Sequence, residues 1–190
     1  MEYLKQKILK EGIIKEGGIL KVDSFLNHQI DVDFLNEVGK EFKRRFSDRE
    51  VTKILTVEAS GIAIAVIVAQ YFNVPVLFAK KVESSNMDES TYESEVYSYT
   101  RGKTYKIRIS RNYLSKDDKV LVIDDFLANG SAALGLVSLV ESAGAELSGI
   151  GIVIEKSFQD GGKRLREKGI NLHSLVRVEF DSENNIVFKY

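Results

Sequence analysis

The sequence has no cysteine, one proline and two histidines among 190 residues. Without cysteine there is no disulfide framework, zinc knuckle or thiol nucleophile, and a reducing, cytoplasmic setting is expected. His28 and His173 are too few and too far apart in sequence to argue for a metal site, so packing or surface roles are expected of them. Neither sign of charge is in excess, with 27 Lys+Arg against 28 Asp+Glu and a net charge of −1. Such a balance makes no field that gathers nucleic acid, and a nucleic-acid partner is not expected. The longest apolar run, Ile62 to Ala69, is eight residues, against the ~20 that a spanning helix needs, so no membrane insertion is expected. Met1 to Gly12 alternates charged and apolar residues and lacks the features of a secretory signal, so this segment is expected in the mature protein. With no repeat, Ser/Pro-rich linker or low-complexity tract, residues 1–190 are expected to form a single domain. At this length folding removes roughly 70% of the unfolded chain's surface, enough for a core without staples.

What is present is a repeated alternation of apolar segments. Leu4, Ile8 and Leu9 form an amphipathic stripe that Gly12 closes, and Phe34, Val38, Phe42 and Phe46 recur every four residues behind Asp31, a candidate helix cap. Lys53–Val57 predicts a strand, followed by the turn-like Glu58–Gly61 and an apolar helix over Ile62–Phe72. Val74–Ala79, Lys119–Ile123 and Leu147–Ile154 predict further strands, and Ser131–Ala143 a helix stopped by Gly144. Apolar strands alternating with apolar-faced helices imply an α/β fold with a mainly parallel sheet covered on both faces. Glu83–Glu93 is polar and aperiodic, and Tyr97, Tyr99, Tyr105, Ile107 and Ile109 alternate as a hairpin around Arg101–Lys103, so a mobile loop on a β-ribbon is expected. Glu41–Arg45 and Lys163–Lys168 read as solvated helix faces.

Chemistry concentrates in Val120–Ala132, where an apolar strand runs into Asp124 and Asp125 and then turns through small residues into a helix. Taken alone, a pair of acids after a strand often just caps the next helix. Here Ala128, Asn129, Gly130, Ser131 and Ala132 carry no bulky side chain, and backbone N–H groups opening a helix favour an anion. Gly130 permits a tight turn and Ser131 adds a hydroxyl donor, which together suit a monophosphate. The acids, at a strand end, are placed to reach a diol or a hydrated metal. The run is neither a Walker A loop, since no G-K-S/T follows the glycine, nor a G-x-G-x-x-G turn.

These thirteen residues resemble the ribose-5-phosphate-binding signature of the type I phosphoribosyltransferases. Leu20–Ile30, Glu58–Gly61, Phe78–Lys81, Val96–Tyr99, Asp124–Ala132 and Gly149–Gln159 are similar, in order, to segments of the bacterial xanthine phosphoribosyltransferases, a likeness spanning nearly the whole chain. The resemblance implies transfer of a phosphoribosyl group from 5-phosphoribosyl 1-pyrophosphate (PRPP) to xanthine, giving xanthosine 5′-monophosphate and pyrophosphate in purine salvage. It also implies a hood over the purine, built partly from residues 1–30, and a mobile catalytic loop over residues 82–105. Substrate-bound Mg²⁺ and a cytoplasmic homodimer complete the expectation.

On this resemblance Asp124 and Asp125 hold the ribose hydroxyls, directly or through Mg²⁺ waters, and Ala128 to Ala132 hold the 5′-phosphate. Ser60 and Gly61, in a second strand-to-helix turn, face the pyrophosphate. Of the adjacent Lys80 and Lys81, the second is favoured as a pyrophosphate contact, and which lysine reaches a neighbouring subunit's site stays open. Lys156, at the end of an apolar strand, offers only donors, which suits an oxopurine's acceptors and opposes adenine's amino group. Leu20, through its backbone, and Asn27, through its side chain, are the family's further xanthine contacts, and Phe158 is a candidate for stacking on the base. No metal ligand set is expected from protein alone.

One departure bears on mechanism. Hypoxanthine–guanine members carry an acid where this chain has Ala128, so no general base acts from that position. Xanthine, a more acidic oxopurine, is expected to bind partly as its anion with Lys156 compensating the charge. The alternatives are adenine or hypoxanthine/guanine as the acceptor, and a non-catalytic regulator that senses PRPP.

Overall fold

A computed structural model describes residues 1–15, 19–82, 90–98 and 102–189. Its frame is an eight-stranded sheet built from strands β3 (Lys53–Val57), β4 (Val76–Val82), β5 (Thr91–Ser98), β6 (Lys103–Ser110), β7 (Lys119–Leu127), β8 (Glu146–Lys156), β9 (Leu172–Phe180) and β10 (Ile186–Lys189). Their order across the sheet is β10-β9-β8-β7-β3-β4-β6-β5. The pairs from β9 through β8, β7 and β3 to β4 are parallel, and both margins turn antiparallel. A parallel centre needs both faces covered. Helices α2 (Val32–Arg45) and α3 (Ser60–Phe72) cover one face, with Phe34, Phe42, Phe46, Ile64 and Val68 packed on Ile54, Leu121 and Ile123. Helix α4 (Ser131–Ser142) covers the other, with Leu136, Leu139 and Val140 on Leu55, Val120 and Val122. Alternate residues of β3 and β7 therefore serve opposite cores, as the two-residue repeat of a strand requires.

Most local expectations hold, with corrections that trace to partners distant in sequence. Asp31 caps α2 by accepting the Phe34 N–H at 3.0 Å. In α1 (Glu2–Glu11) Leu4 and Ile8 are buried, but Leu9, a further 100° round the helix, is exposed. Helix α3 begins at Ser60, before the expected Ile62. Strand β4 runs over Val76–Val82 instead of Val74–Ala79, because β6 pairs with Lys80, Lys81 and Val82. Strand β7 continues to Leu127 beside a longer β8, so the acid pair lies inside a strand. The expected hairpin is the β5–β6 ribbon; its tip at 99–101 and residues 83–89 of the expected loop lie outside the described residues. Thr91 to Glu93, read as loop, are already strand. Strands β1 (Ile13–Lys15) and β2 (Ile19–Lys21) and the closing pair β9 and β10 have no counterpart in the sequence reading, while the helix face expected over Lys163–Lys168 lies in α5 (Gly161–Glu167), which starts two residues earlier. Among the described residues no helix is long and apolar enough to cross a membrane.

The two charge runs are not simply solvated. Glu41 accepts from Arg44 and Arg45, and Arg45 reaches across to donate to the Ser174 carbonyl of β9 at 2.8 Å. The Arg44 hydrogen bond, ahead of Arg45's, holds the Glu41 carboxyl down at about 2, against an ordinary 4.5, despite partial burial. Arg166, in the second run, pairs with buried Glu155. His173 packs edge-on against Phe46 with centroids 4.8 Å apart, in line with the packing role expected of it.

A depressed carboxylate pKa contributes stability that is present above the unfolded value and is lost as pH falls toward the folded one. Arg44 is largely exposed and screened, so Glu41→Gln is expected to cost about 1 kcal/mol in urea unfolding at pH 7. Its deficit relative to the unsubstituted protein shrinks between pH 4.5 and about 2; a deficit independent of pH would contradict the ion-pair assignment.

Candidate active site

Three strand ends meet at the carboxyl edge of the parallel sheet, where open α/β folds place their ligands. On β7, Asp124 and Asp125 are 6% and 8% exposed. The Asp125 N–H donates to Asp124 Oδ1 at 3.0 Å and the Phe126 N–H to Asp125 Oδ1 at 2.8 Å, so each carboxylate has a fixed orientation. Burial, followed by the adjacent Asp125 charge, drives the Asp124 carboxyl well above the ordinary carboxylate range, and Lys81 pulls the other way.

Beyond β7 the loop Ala128–Gly130 turns into α4. Gly130 has φ +85°, in the left-handed region, and a Cβ there would stand 3.1 Å from Gly161 Cα. The opposed Gly161 is more constrained still, since a Cβ there would lie 2.3 Å from the Ala128 carbonyl oxygen. The Gly161 N–H donates to that same oxygen at 3.0 Å. Asn129 accepts the Ser131 N–H on its side-chain oxygen at 3.1 Å, and its main-chain oxygen takes Arg164 Nη1 at 2.8 Å. Ser131 and Ala132 open α4, whose N-terminus is the anion-favouring end.

The turn after β3 comes up against the acid pair. A Cβ on Gly61 would lie 2.0 Å from Thr56 Oγ1 and 3.2 Å from Asp124 Oδ1, so this close approach requires glycine. Ser60 begins α3 beside it, behind a cis Glu58–Ala59 peptide. Glu58 ties the turn to β4 by accepting the Lys81 N–H at 2.6 Å. Lys81 shares its electrostatic environment with Asp124 and lies 5.8 Å from the Tyr105 ring centroid, while Lys80, the next residue on the strand, points to the opposite face.

On the other flank Lys156 ends β8 with Nζ 5.1 Å from the Phe126 ring centroid. Burial lowers its pKa, and the charge of Asp125 opposes that shift. Phe158 is half exposed and packs on Phe180 at 5.4 Å between centroids. Leu20 is buried in β2, and Asn27 is exposed at the end of the helical turn Asp23–Asn27. Among the described residues no hydrogen bond joins Leu20 or Asn27 to Lys156 or the acid pair. A cavity of about 500 Å³ opens between the phosphate loop and Phe158, bordered also by Gln159, Asp160 and Arg164. The larger cavity, about 660 Å³, lies away from this chemistry around Pro75, Phe78 and Tyr113.

Glu58, Thr56, Gly161, Arg164 and the Glu155–Arg166 pair escaped sequence reasoning. Only the adjacent glycines Gly161 and Gly162 gave a local signal of close approach.

Paired acids run into a small-residue turn at the edge of a parallel sheet, a strand-to-helix arrangement that favours a phosphate-bearing ligand. The phosphoribosyl transferase domain model matches residues 24–181, and the chain belongs to that family. It is 60% identical over 189 residues to the xanthine phosphoribosyltransferase of Clostridium novyi, covering 100% of both chains. It is 61% identical over 188 residues to that of Ruminiclostridium cellulolyticum, covering 99% of both. Among solved structures it is similar to the adenine phosphoribosyltransferase of Thermoanaerobacter pseudethanolicus, with TM-score 0.74 and 21% identity over 92% of this chain and 99% of that one. The corresponding enzyme of Trypanosoma brucei gives TM-score 0.77 and 20% identity over 95% of this chain and 82% of that one. At these identities the structural likeness shows a shared fold.

Gly61→Ala is expected to destabilise the protein by roughly 1–3 kcal/mol in chemical denaturation. The added methyl meets the buried Thr56 hydroxyl. In a Thr56→Ala background the same substitution should cost less, and an equal cost in both backgrounds would show that the clash lies elsewhere.

Proposed function

We propose that this chain transfers the phosphoribosyl group of PRPP to xanthine, forming xanthosine 5′-monophosphate and releasing pyrophosphate in purine salvage. The observation that carries the proposal is the joining of the buried acid pair, the Gly61 turn and the phosphate loop at one sheet edge. Its specificity rests on full-length identity of about 60% to proteins named for xanthine, and on a lysine at the base end of the site.

In this reading the N–H groups around Ala128, Asn129, Gly130, Ser131 and Ala132 hold the 5′-phosphate, and Asp124 and Asp125 hold the ribose hydroxyls. Ser60, Gly61 and Lys81 receive the pyrophosphate. The bond between C1 and the pyrophosphate oxygen breaks, the electron pair leaves with pyrophosphate, and a xanthine ring nitrogen bonds to C1 while the ring proton of the base passes to water. Positive charge develops on the sugar ring, so alignment and charge stabilisation are the protein's main contributions. Lys156 donates to an oxo group and balances negative charge on the base, while Asn27, Leu20 and Phe158 complete the purine pocket. With Ala128 in the loop, no carboxylate there takes the base proton.

The donor set suits Mg²⁺. Two carboxylates offer hard oxygen ligands, and the buried like-charge pair that raises the Asp124 pKa is one a cation would relieve. When bound with PRPP, the ion supplies charge neutralisation on the leaving pyrophosphate. Residues 1–30 serve as the hood, and residues 82–105 as a loop that closes to exclude water. A homodimer in the cytoplasm completes the proposal.

Initial rates with PRPP, Mg²⁺ and xanthine, guanine, hypoxanthine or adenine in turn test it, with Asp125→Asn as control. Xanthine is expected to be preferred, and activity lost in the control. Adenine preference would overturn the specificity argument, and transfer to no base would leave a sensor. Lys156→Ala is expected to lower kcat/KM for xanthine roughly 10–100-fold and to shift its pH profile; unchanged xanthine use would refute the charge-balancing role.

A further inference from the structure

Helix α5 carries no residue assigned above to substrate, yet it is fastened to both flanks of the site. Behind it stands Glu155, only 2% exposed, at the residue before Lys156. Its carboxylate accepts Arg166 Nη1 at 2.8 Å and Nη2 at 2.6 Å, takes the Ser174 hydroxyl, and lies 3.4 Å from Arg177 Nε. The helix backbone rests directly on this group, since a Cβ on Gly162 would stand 2.1 Å from Glu155 Oε1. One residue earlier, Gly161 donates its N–H to the Ala128 oxygen at 3.0 Å, and a turn later Arg164 donates to the Asn129 oxygen at 2.8 Å.

Two consecutive carbonyls of the phosphate loop are thus held toward α5. In a trans peptide the carbonyl and the next residue's N–H point in opposite directions. Fixing the Ala128 and Asn129 oxygens on the α5 side therefore aims the Asn129 and Gly130 N–H groups away from it. Neither N–H has a hydrogen-bond acceptor among the described residues, which leaves both donors unspent on the protein itself.

We propose that α5 is a brace that sets the N–H directions of the phosphate loop, with Glu155 and Arg164 as positioning residues acting through Arg166, Gly161 and the loop carbonyls. The proposal rests on the reading of Ala128 to Ala132 as the phosphate site. It gives the Glu155 network a role beyond packing: the same strand end carries Lys156, so base and phosphate contacts are referenced to one rigid point.

The test is steady-state kinetics on the full chain with Arg164→Met, Arg164→Lys and Arg166→Met, alongside melting temperatures. Arg166→Met leaves Glu155 with Arg177 and Ser174, which keeps the buried carboxylate partnered. KM for PRPP is expected to rise roughly 5–10-fold in both Met variants. KM for xanthine and kcat should stay within about twofold, and Arg164→Lys, which keeps a donor, should recover most of the loss. An unchanged KM for PRPP, or equal rises for both substrates that follow a lower melting temperature, would overturn the proposal. No transfer by the unsubstituted chain is a separate outcome, since it removes the functional reading itself.

Discussion

Two carboxylates on consecutive residues of the central strand, each less than a tenth exposed, set the terms for everything around them. Burial and the adjacent Asp125 charge both disfavour ionisation of Asp124, and a protein tolerates that only by placing compensating groups around it. Peptide N–H groups of Asp125 and Phe126 satisfy one oxygen of each acid. Lys81 acts on Asp124 from one flank, and the charge of Asp125 acts on Lys156 at the other. These cations come from β4 and β8, strands that do not neighbour each other in the sheet. The acid pair explains why a sheet otherwise built for apolar burial gathers charge at this edge, and it leaves room for a cationic or hydroxyl-bearing ligand to finish the neutralisation.

Close backbone approach is the second constraint, and three glycines mark it. Gly61 brings α3 against Asp124, while Gly130 and Gly161 let the phosphate loop and α5 touch. Each contact removes space that a side chain would fill and turns peptide groups into structural parts of the site. The arrangement reuses one device twice, a parallel strand feeding a helix N-terminus, once after β3 and once after β7. Two anion-favouring turns flank one pair of acids, a pattern matched to a sugar that bears phosphate groups at both ends.

What was legible in the sequence was local. The apolar run before Asp124, the small residues after Leu127 and the two-residue alternation of Tyr105, Ile107 and Ile109 in β6 each carry their own signal. Asp31 as a cap and the four-residue spacing of Phe34, Val38 and Phe42 were readable for the same reason. The rest depended on distant partners. Strands β4 and β7 outrun their apolar patterns because neighbours pair with their polar ends. Leu172–Phe180 mixes His, Ser, Arg and Glu with its apolar residues, because near this margin of the sheet Arg45, 129 residues away, donates to the Ser174 carbonyl and the Ser174 hydroxyl donates to Glu155. Arg164 was read as a solvated charge for the same reason: its acceptor is a backbone oxygen 35 residues away. Base contacts from Leu20 and Asn27 rest on family resemblance alone.

The most direct measurement is a crystal structure of the protein with xanthosine 5′-monophosphate bound. The account predicts the phosphate on the N–H groups between Ala128 and Ala132, the ribose hydroxyls on Asp124 and Asp125, and Lys156 within hydrogen-bond distance of an oxo group of the base. A nucleotide bound with its phosphate away from that loop, or with the acids facing away from the ribose, would contradict it.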